Sequence, residues 1–443
     1  MKRLTGAGLL LLLATMVVSG GALAATVNGN AFKDGQTAHS GITIQLETLP
    51  GVPALGFAGA AVLLCAASLL LCRKRRQAAG AASIVLVIAG LSCIAYAFAT
   101  YTTTTNLSGA YSLTAVEPGD YRLDASAPGY YPEQRVPVSI VDGANTIPNI
   151  TLYPFPPPGT LFSTDPIVGN MRFIPAGTFT QGSPADEPCR NANELQFTHT
   201  LTRNLAVMET EITRQMWTDL RAAQPDLPPD PSSTAYSPTM NHPVQNNMWY
   251  EAVLFANLLS FQNGYTRCYY ADAGFTNPIT SLNYTTGPFY CNFAANGYRL
   301  PSEGEWEYFT RAGTTTAFSC NETNYTGGNC EFVPAGTHPT LEQYCVYCAN
   351  GQGTTAVVGS KLANPWNLKD VHGNAYEWCW DWLAPYPSLS ATDYVGPESG
   401  SDRTLRGGSY EHRARQVRSA YRNYVWPSYR HQSLGFRLVR TIP

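Results

Sequence analysis

The side chains best suited to chemistry lie between Asp370 and Trp382. A Gly373-Asn374 turn there feeds an alternating run, the pattern of a strand. Alternation puts Tyr376, Trp378, Trp380 and Trp382 on one face and Glu377, Cys379 and Asp381 on the other. Acid oxygens beside a turn with free carbonyls suit a hard cation. The indole face needs a large apolar partner, which predicts the core strand of the main domain. Downstream, Arg403, Arg406, Arg413, Arg415, Arg418, Arg422, Arg430, Arg437 and Arg440 meet only Glu411. Buried guanidinium groups need acid partners, so most of these must pair with carboxylates upstream. Arg413, with His412 and Tyr421, is a candidate for a cleft that binds an anion or a peptide carboxylate.

Of 11 cysteines, Cys65, Cys72 and Cys93 sit in apolar runs and the other eight fall from Cys189 onward. An even set in an exported domain favours disulfides. Cys268 and Cys291 flank one inserted loop and Cys320 and Cys330 another, so both pairs are expected to bond. Cys345-Val-Tyr-Cys348 has redox-type spacing but no helix start, and a structural disulfide is the expectation. No Ser-His-Asp order, phosphate loop or zinc spacing stands out, and His242 reads as a packed turn residue.

The elements that must position these groups follow from the chain in order. The 443 residues suffice for two or three domains. Hydrophobic residues make up 44% and charged ones 13%, a composition for a well-cored, loop-rich fold rather than disorder. A net charge of −3 gives no case for nucleic acid. Residues 1–24 read as a signal peptide: Lys2 and Arg3, an apolar stretch, then Ala22-Leu23-Ala24. Residues 25–153 read as short strands, interrupted at 54–99 by two apolar runs around Arg73-Lys74-Arg75-Arg76. Each run is long enough to span a bilayer, and the basic tetrad should stay cytoplasmic. The chain is therefore expected to be exported and anchored by a membrane hairpin, with the main domain outside the cytoplasm. Residues 154–168 begin with a proline-rich linker, and 169–443 form the main domain. Three helices are expected there: one capped by Thr213, one over Trp249 to Leu259, and one behind the capping box Ser302-Glu-Gly-Glu305.

Ordered motifs carry three resemblances. Ser108-Gly109, Tyr111, Pro118-Gly119-Asp120-Tyr121 and Ala127-Pro128-Gly129-Tyr130 resemble the carboxypeptidase regulatory-like domain, which implies an all-β, transthyretin-like sandwich. Val52-Pro53, the apolar run and Arg73 to Arg76 resemble an exosortase sorting signal placed inside a chain. In the main domain the motifs are Phe173 to Thr178, Glu209 to Thr213, Gly297 to Tyr308, Asn364 to Trp378, Arg406 to Tyr410 and Leu434 to Arg437. Together they resemble the formylglycine-generating enzyme (sulfatase-modifying factor) family. That resemblance implies an α+β, C-type-lectin-like fold with sparse secondary structure. It also implies calcium on Asp370, Gly373, Ala375 and Glu377. Catalytic members of the family hold copper on two cysteines and oxidise a sulfatase cysteine. The matching positions here are His412 and Val417, an imidazole and an isopropyl group, so copper is not expected. The resulting expectation is a binding or maturation factor for an envelope protein or peptide. The alternatives are a protein-modifying oxidoreductase with a non-standard site and a structural or adhesive surface module.

Overall fold

The computed structural model describes residues 25–33, 36, 42–48, 100–106, 108–127, 129–320, 322, 325 and 336–442. The expected signal peptide, sorting-like segment and membrane hairpin lie outside the described residues. Among the described residues no helix is long and apolar enough to cross a membrane. The chain divides into two units, 1–155 and 156–443.

The first unit contains β1 (Ala25–Lys33), β2 (Thr43–Thr48), β3 (Thr100–Thr104), β4 (Ala110–Val116), β5 (Gly119–Ser126), β6 (Glu133–Ile140), β7 (Ala144–Thr146) and β8 (Ile150–Leu152). One sheet runs β4-β1-β7 with β8 also on β1; the other runs β3-β2-β5-β6. Period-two burial explains their packing. Ile44, Leu46, Tyr121 and Leu123 from one sheet share a single core with Val27, Ala31, Tyr111 and Leu113 from the other.

The second unit holds β9 (Leu161–Asp165), β10 (Gly169–Ile174), β11 (Gly177–Gln181), β12 (Phe197–Leu201), β13 (Asn204–Met208), β14 (Tyr269–Tyr270), β15 (Tyr290–Cys291) and β16 (Tyr298–Arg299). It continues with β17 (Tyr376–Trp382), β18 (Ala391–Thr392), β19 (Arg403–Arg406), β20 (Asn423–Val425), β21 (Leu434–Gly435) and β22 (Val439–Ile442). Its helices are α1 (Arg214–Ala223), α2 (Trp249–Gln262), α3 (Glu303–Arg311) and α4 (Leu341–Tyr344). Two sheets matter for the site: β16-β22-β13-β10-β9 and β20-β19-β17-β21. Short strands, few helices and long loops give an α+β unit. Part of the expected linker is therefore structured, because Leu161–Asp165 pairs with β10 as an edge strand.

The three expected helices form where their caps predict. Thr213 Oγ1 accepts the Met216 N–H at 3.1 Å. Ser302 Oγ accepts the Glu305 N–H at 3.1 Å while Glu305 returns to the Ser302 N–H at 2.9 Å. The long helix Trp249–Gln262 is buried along most of its length, with Glu251 capping the Met248 N–H.

The alternation of β17 is observed, and both faces are covered as a core strand requires: Tyr376 and Trp378 are buried on one side and Glu377, Cys379 and Asp381 on the other, with Trp380 and Trp382 partly covered. The acid side is met by α3 and by arginine. Asp381 accepts the Glu303 N–H at 2.7 Å at the helix N-terminus, where a carboxylate is favoured. The indoles Trp249 and Trp382 instead flank the Arg403 guanidinium, at 3.8 and 3.5 Å to their ring centroids.

The expected disulfides also change. Cys189 is disulfide-bonded, and its partner lies outside the described residues. Cys268 and Cys291 are free thiols, with Cys291 standing opposite Tyr269 in the β14–β15 pair. Cys320 is likewise free, so it forms no bond to Cys330. Cys345 and Cys348 are also unpaired.

Candidate functional site

The Arg406-Gly-Gly-Ser409 turn places the site. Gly407 and Gly408 have φ of +90° and +73°, a region in which side chains are strained. A Cβ on Gly408 would also overlap Val417 and the Gln416 carbonyl. The turn delivers His412 into an open hollow of about 290 Å³. Its walls include Tyr376, Glu411, Tyr424, Trp426, Tyr429 and His431. His412 bonds Ser409 Oγ at 2.6 Å through Nδ1 and packs edge-on to Tyr376, with centroids 4.7 Å apart. Burial lowers its pKa to about 4, so the ring is neutral near pH 7. A second hollow, lined by Asn191, Asn193, Tyr421 and Arg422, shares Asn423 and Tyr424 with the first.

The candidates predicted from sequence separate. His412 and Tyr421 line adjoining hollows, but Arg413 lines neither. Val417 is fully buried in a small core with Phe318, Cys320, Leu341, Cys345 and Tyr347. The arginines are spent largely on the scaffold. Arg406 bridges Glu303 and Glu307, Arg422 holds Glu303, and Arg418 holds Glu187 and Glu194. Sequence reasoning did not find Asn423, Tyr424, Trp426, Tyr429 and His431 as site residues. The only signal was a run of aromatics in an aperiodic stretch.

Thiols do approach this region from elsewhere in the chain. Val346 bridges Gly373, and the Cys348 N–H donates to the His412 carbonyl at 3.0 Å. Cys345 is completely buried, which pushes its thiol well up. Cys348, half-buried, is also raised by desolvation, against the opposing charge of Arg413. Both are therefore protonated thiols, not the thiolates that exchange or soft-metal binding requires.

The residues expected to hold calcium lie together on the turn and on β17, and Asp370 and Glu377 are buried. The Glu377 carboxylate is fully engaged. Arg437 Nε and Nη2 donate to it at 2.6–2.8 Å, and Trp306 Nε1 donates at 2.7 Å. These contacts use its four acceptor sites. Asp370 Oδ2 accepts the Gly359 N–H at 2.6 Å, while Asp370 Oδ1 and both Glu211 oxygens have no partner. Burial, then the neighbouring Asp370, raises the Glu211 pKa well above the usual carboxylate range. Glu377 is thus committed to Arg437 and Trp306, whereas Asp370 Oδ1 and the Glu211 carboxylate are the buried acid oxygens beside the turn that remain open to a cation. Among the described residues no group of three or more His, Cys, Asp or Glu side chains is arranged to hold a metal.

Comparison with known proteins agrees with this architecture. Residues 160–442 match the family described as the Sulfatase-modifying factor enzyme 1-like domain, and residues 80–153 match the carboxypeptidase regulatory-like domain. The formylglycine-generating enzyme of Streptomyces coelicolor is 32% identical over 169 residues, covering 36% of this chain and 52% of that protein. Chaperone protein LppX of Paenibacillus barcinonensis is 28% identical over 184 residues, covering 39% of this chain and 60% of that one. The chain thus spans about half the length of the curated relatives it matches. Among solved structures, Treponema denticola variable protein 1 aligns with a TM-score of 0.53 at 28% identity, over 63% of this chain and 99% of that one. PvdO from Pseudomonas aeruginosa shares the fold, with a TM-score of 0.50 at 23% identity over 65% of this chain and 100% of that one. With its second unit matched almost end to end, the chain belongs to the sulfatase-modifying factor family.

Proposed function

We propose that the second unit is a binding or maturation factor whose aromatic cleft takes a segment of a partner polypeptide, without copper-dependent formylglycine synthesis. The observation that carries this reading is the fate of the two positions that match the family's cysteines. His412 is a neutral imidazole facing the cleft, and Val417 is buried in an apolar core. An imidazole and an isopropyl group do not make the paired-thiolate site for a cuprous ion, and neither exchanges with a substrate thiol. The LppX relative is a chaperone protein by name, which is consistent with a role on a partner polypeptide. In this reading the chain is exported and anchored through the apolar segment 54–99, and the first unit, a transthyretin-like sandwich, acts as a spacer.

The test is affinity capture from a cell-envelope fraction with the full chain and with a Trp426→Ala variant. A polypeptide retained by the parent and lost by the variant supports the cleft; an identical set from both removes it. A second reading, a protein-modifying oxidoreductase, is favoured by the main-chain bond that brings Cys348 beside His412. Aldehyde formation on a cysteine-containing peptide, lost in Cys348→Ser, would put that reading first.

A further inference from the structure

The first hollow carries an electrostatic signature that its surroundings do not share. The chain from Arg403 to Arg440 is rich in arginine, yet no lysine or arginine is among the residues lining the hollow. Four of the nearby guanidinium groups are drawn elsewhere: Arg406 to Glu303 and Glu307, Arg422 to Glu303, Arg430 to Glu251 and Arg437 to Glu377. The lining keeps one carboxylate, Glu411, which His431 approaches at 3.4 Å. His412 is neutral, so it adds no positive charge.

The walls are aromatic and wet. Trp426 and Tyr424 remain 53% and 49% exposed, more than packing alone would leave for such large rings. Trp426 and Tyr429 pack edge to face at 69° with centroids 4.8 Å apart, which holds the half-exposed Trp426 indole in place. Ring faces carry negative quadrupoles, so an exposed indole in a hollow with a carboxylate attracts a cation rather than an anion. β20 is the outer strand of its sheet, and its residues Asn423 to Val425 line the hollow. The Tyr424 N–H is held there by an exposed bond to Asn423 Oδ1 at 2.9 Å, which an incoming main-chain carbonyl can replace. A free strand edge that runs between two adjoining hollows suits an extended polypeptide.

We propose that this hollow recognises an alkylammonium group, presented as a lysine side chain by a polypeptide lying along β20. The proposal rests on the reading of the cleft as a polypeptide site and names what that site selects. The ammonium would sit over the exposed Trp426 indole on the side of Glu411, and the flanking backbone would run toward Asn193 and Tyr421.

The experiment uses the immobilised full chain and short acetylated, amidated alanine peptides with a central lysine, norleucine or Nε-acetyllysine. The lysine peptide is expected to bind about ten-fold more tightly than either neutral peptide, and Trp426→Ala and Glu411→Gln each to remove most of that preference. Both side chains are at least partly exposed, so the variants should keep the parent's melting temperature, which is measured alongside. Equal binding of lysine and norleucine peptides, or no binding of any, overturns the proposal. So does a lysine preference that survives Glu411→Gln, or displacement of the lysine peptide by phosphatidylcholine vesicles in favour of a lipid headgroup. If Trp426→Ala loses the captured envelope partner while the three peptides compete equally, the polypeptide reading stands and the lysine assignment falls.

Discussion

At the scale of single residues, His199 and His372 show how burial sets chemistry in the second unit. The His372 Nε2 accepts the Ser319 N–H at 3.0 Å, and Nδ1 lies 2.8 Å from the Val417 carbonyl, to which it donates. His199 Nε2 accepts the Tyr394 N–H at 3.0 Å while Nδ1 bonds Gln181 Oε1 at 2.7 Å. A backbone N–H aimed at Nε2 leaves no room for a second ring proton. Burial, the main cause, lowers each pKa to about 4. The unfolded chain titrates near the ordinary value, about 6.5, so it binds more protons than the folded chain between that value and 4. Stability is therefore fully present above pH 6.5 and lost as pH falls through 4. Each of these two histidines should cost about 2 kcal/mol at pH 5 relative to pH 7. Urea titrations at the two pH values check this, and an unchanged midpoint would contradict it.

At the scale of elements, α3 gathers the charges that the sequence left unassigned. Glu303, Glu305 and Glu307 are all buried and all paired, with Arg406 and Arg422, with Arg299, and with Arg311 and Arg406. Removing one acid strands a guanidinium without water. Glu307→Ala should destabilise the second unit by about 3–5 kcal/mol, read as a lower melting temperature, because Arg406 and Arg311 both lose a partner. A shift of under one degree would show that the network adjusts. The Ser302 cap, the Thr213 cap and the alternation of Tyr376 to Trp382 were legible because local hydrogen bonding and period fix them. What covers the acid face of β17 was not legible: the α3 N-terminus and Arg437 meet it, and those partners come from distant parts of the chain. The cleft was hidden for the same reason. His412 was marked by its place after the glycine turn, but Tyr424 lies in a three-residue strand and Trp426 and Tyr429 in the loop after it, too short a stretch to show a period.

At the scale of the whole molecule, the two units bury side chains of different make. One is built from alternate residues of two four-stranded sheets, such as Ile44, Leu46 and Leu123. The other combines buried indoles, among them Trp217, Trp249, Trp306 and Trp378, with buried arginine–glutamate pairs. Units with separate cores unfold as separate cooperative transitions unless a large apolar interface couples them. Calorimetry of the full chain should therefore show two transitions. Only the second unit's transition should move with Glu307→Ala, and it should carry the acid sensitivity of His199 and His372. A protease site inserted after Phe155, at the boundary between the units, should leave both transition temperatures unchanged on cleavage. A single transition, or collapse of either one after cleavage, would mean that one unit depends on the other for its fold.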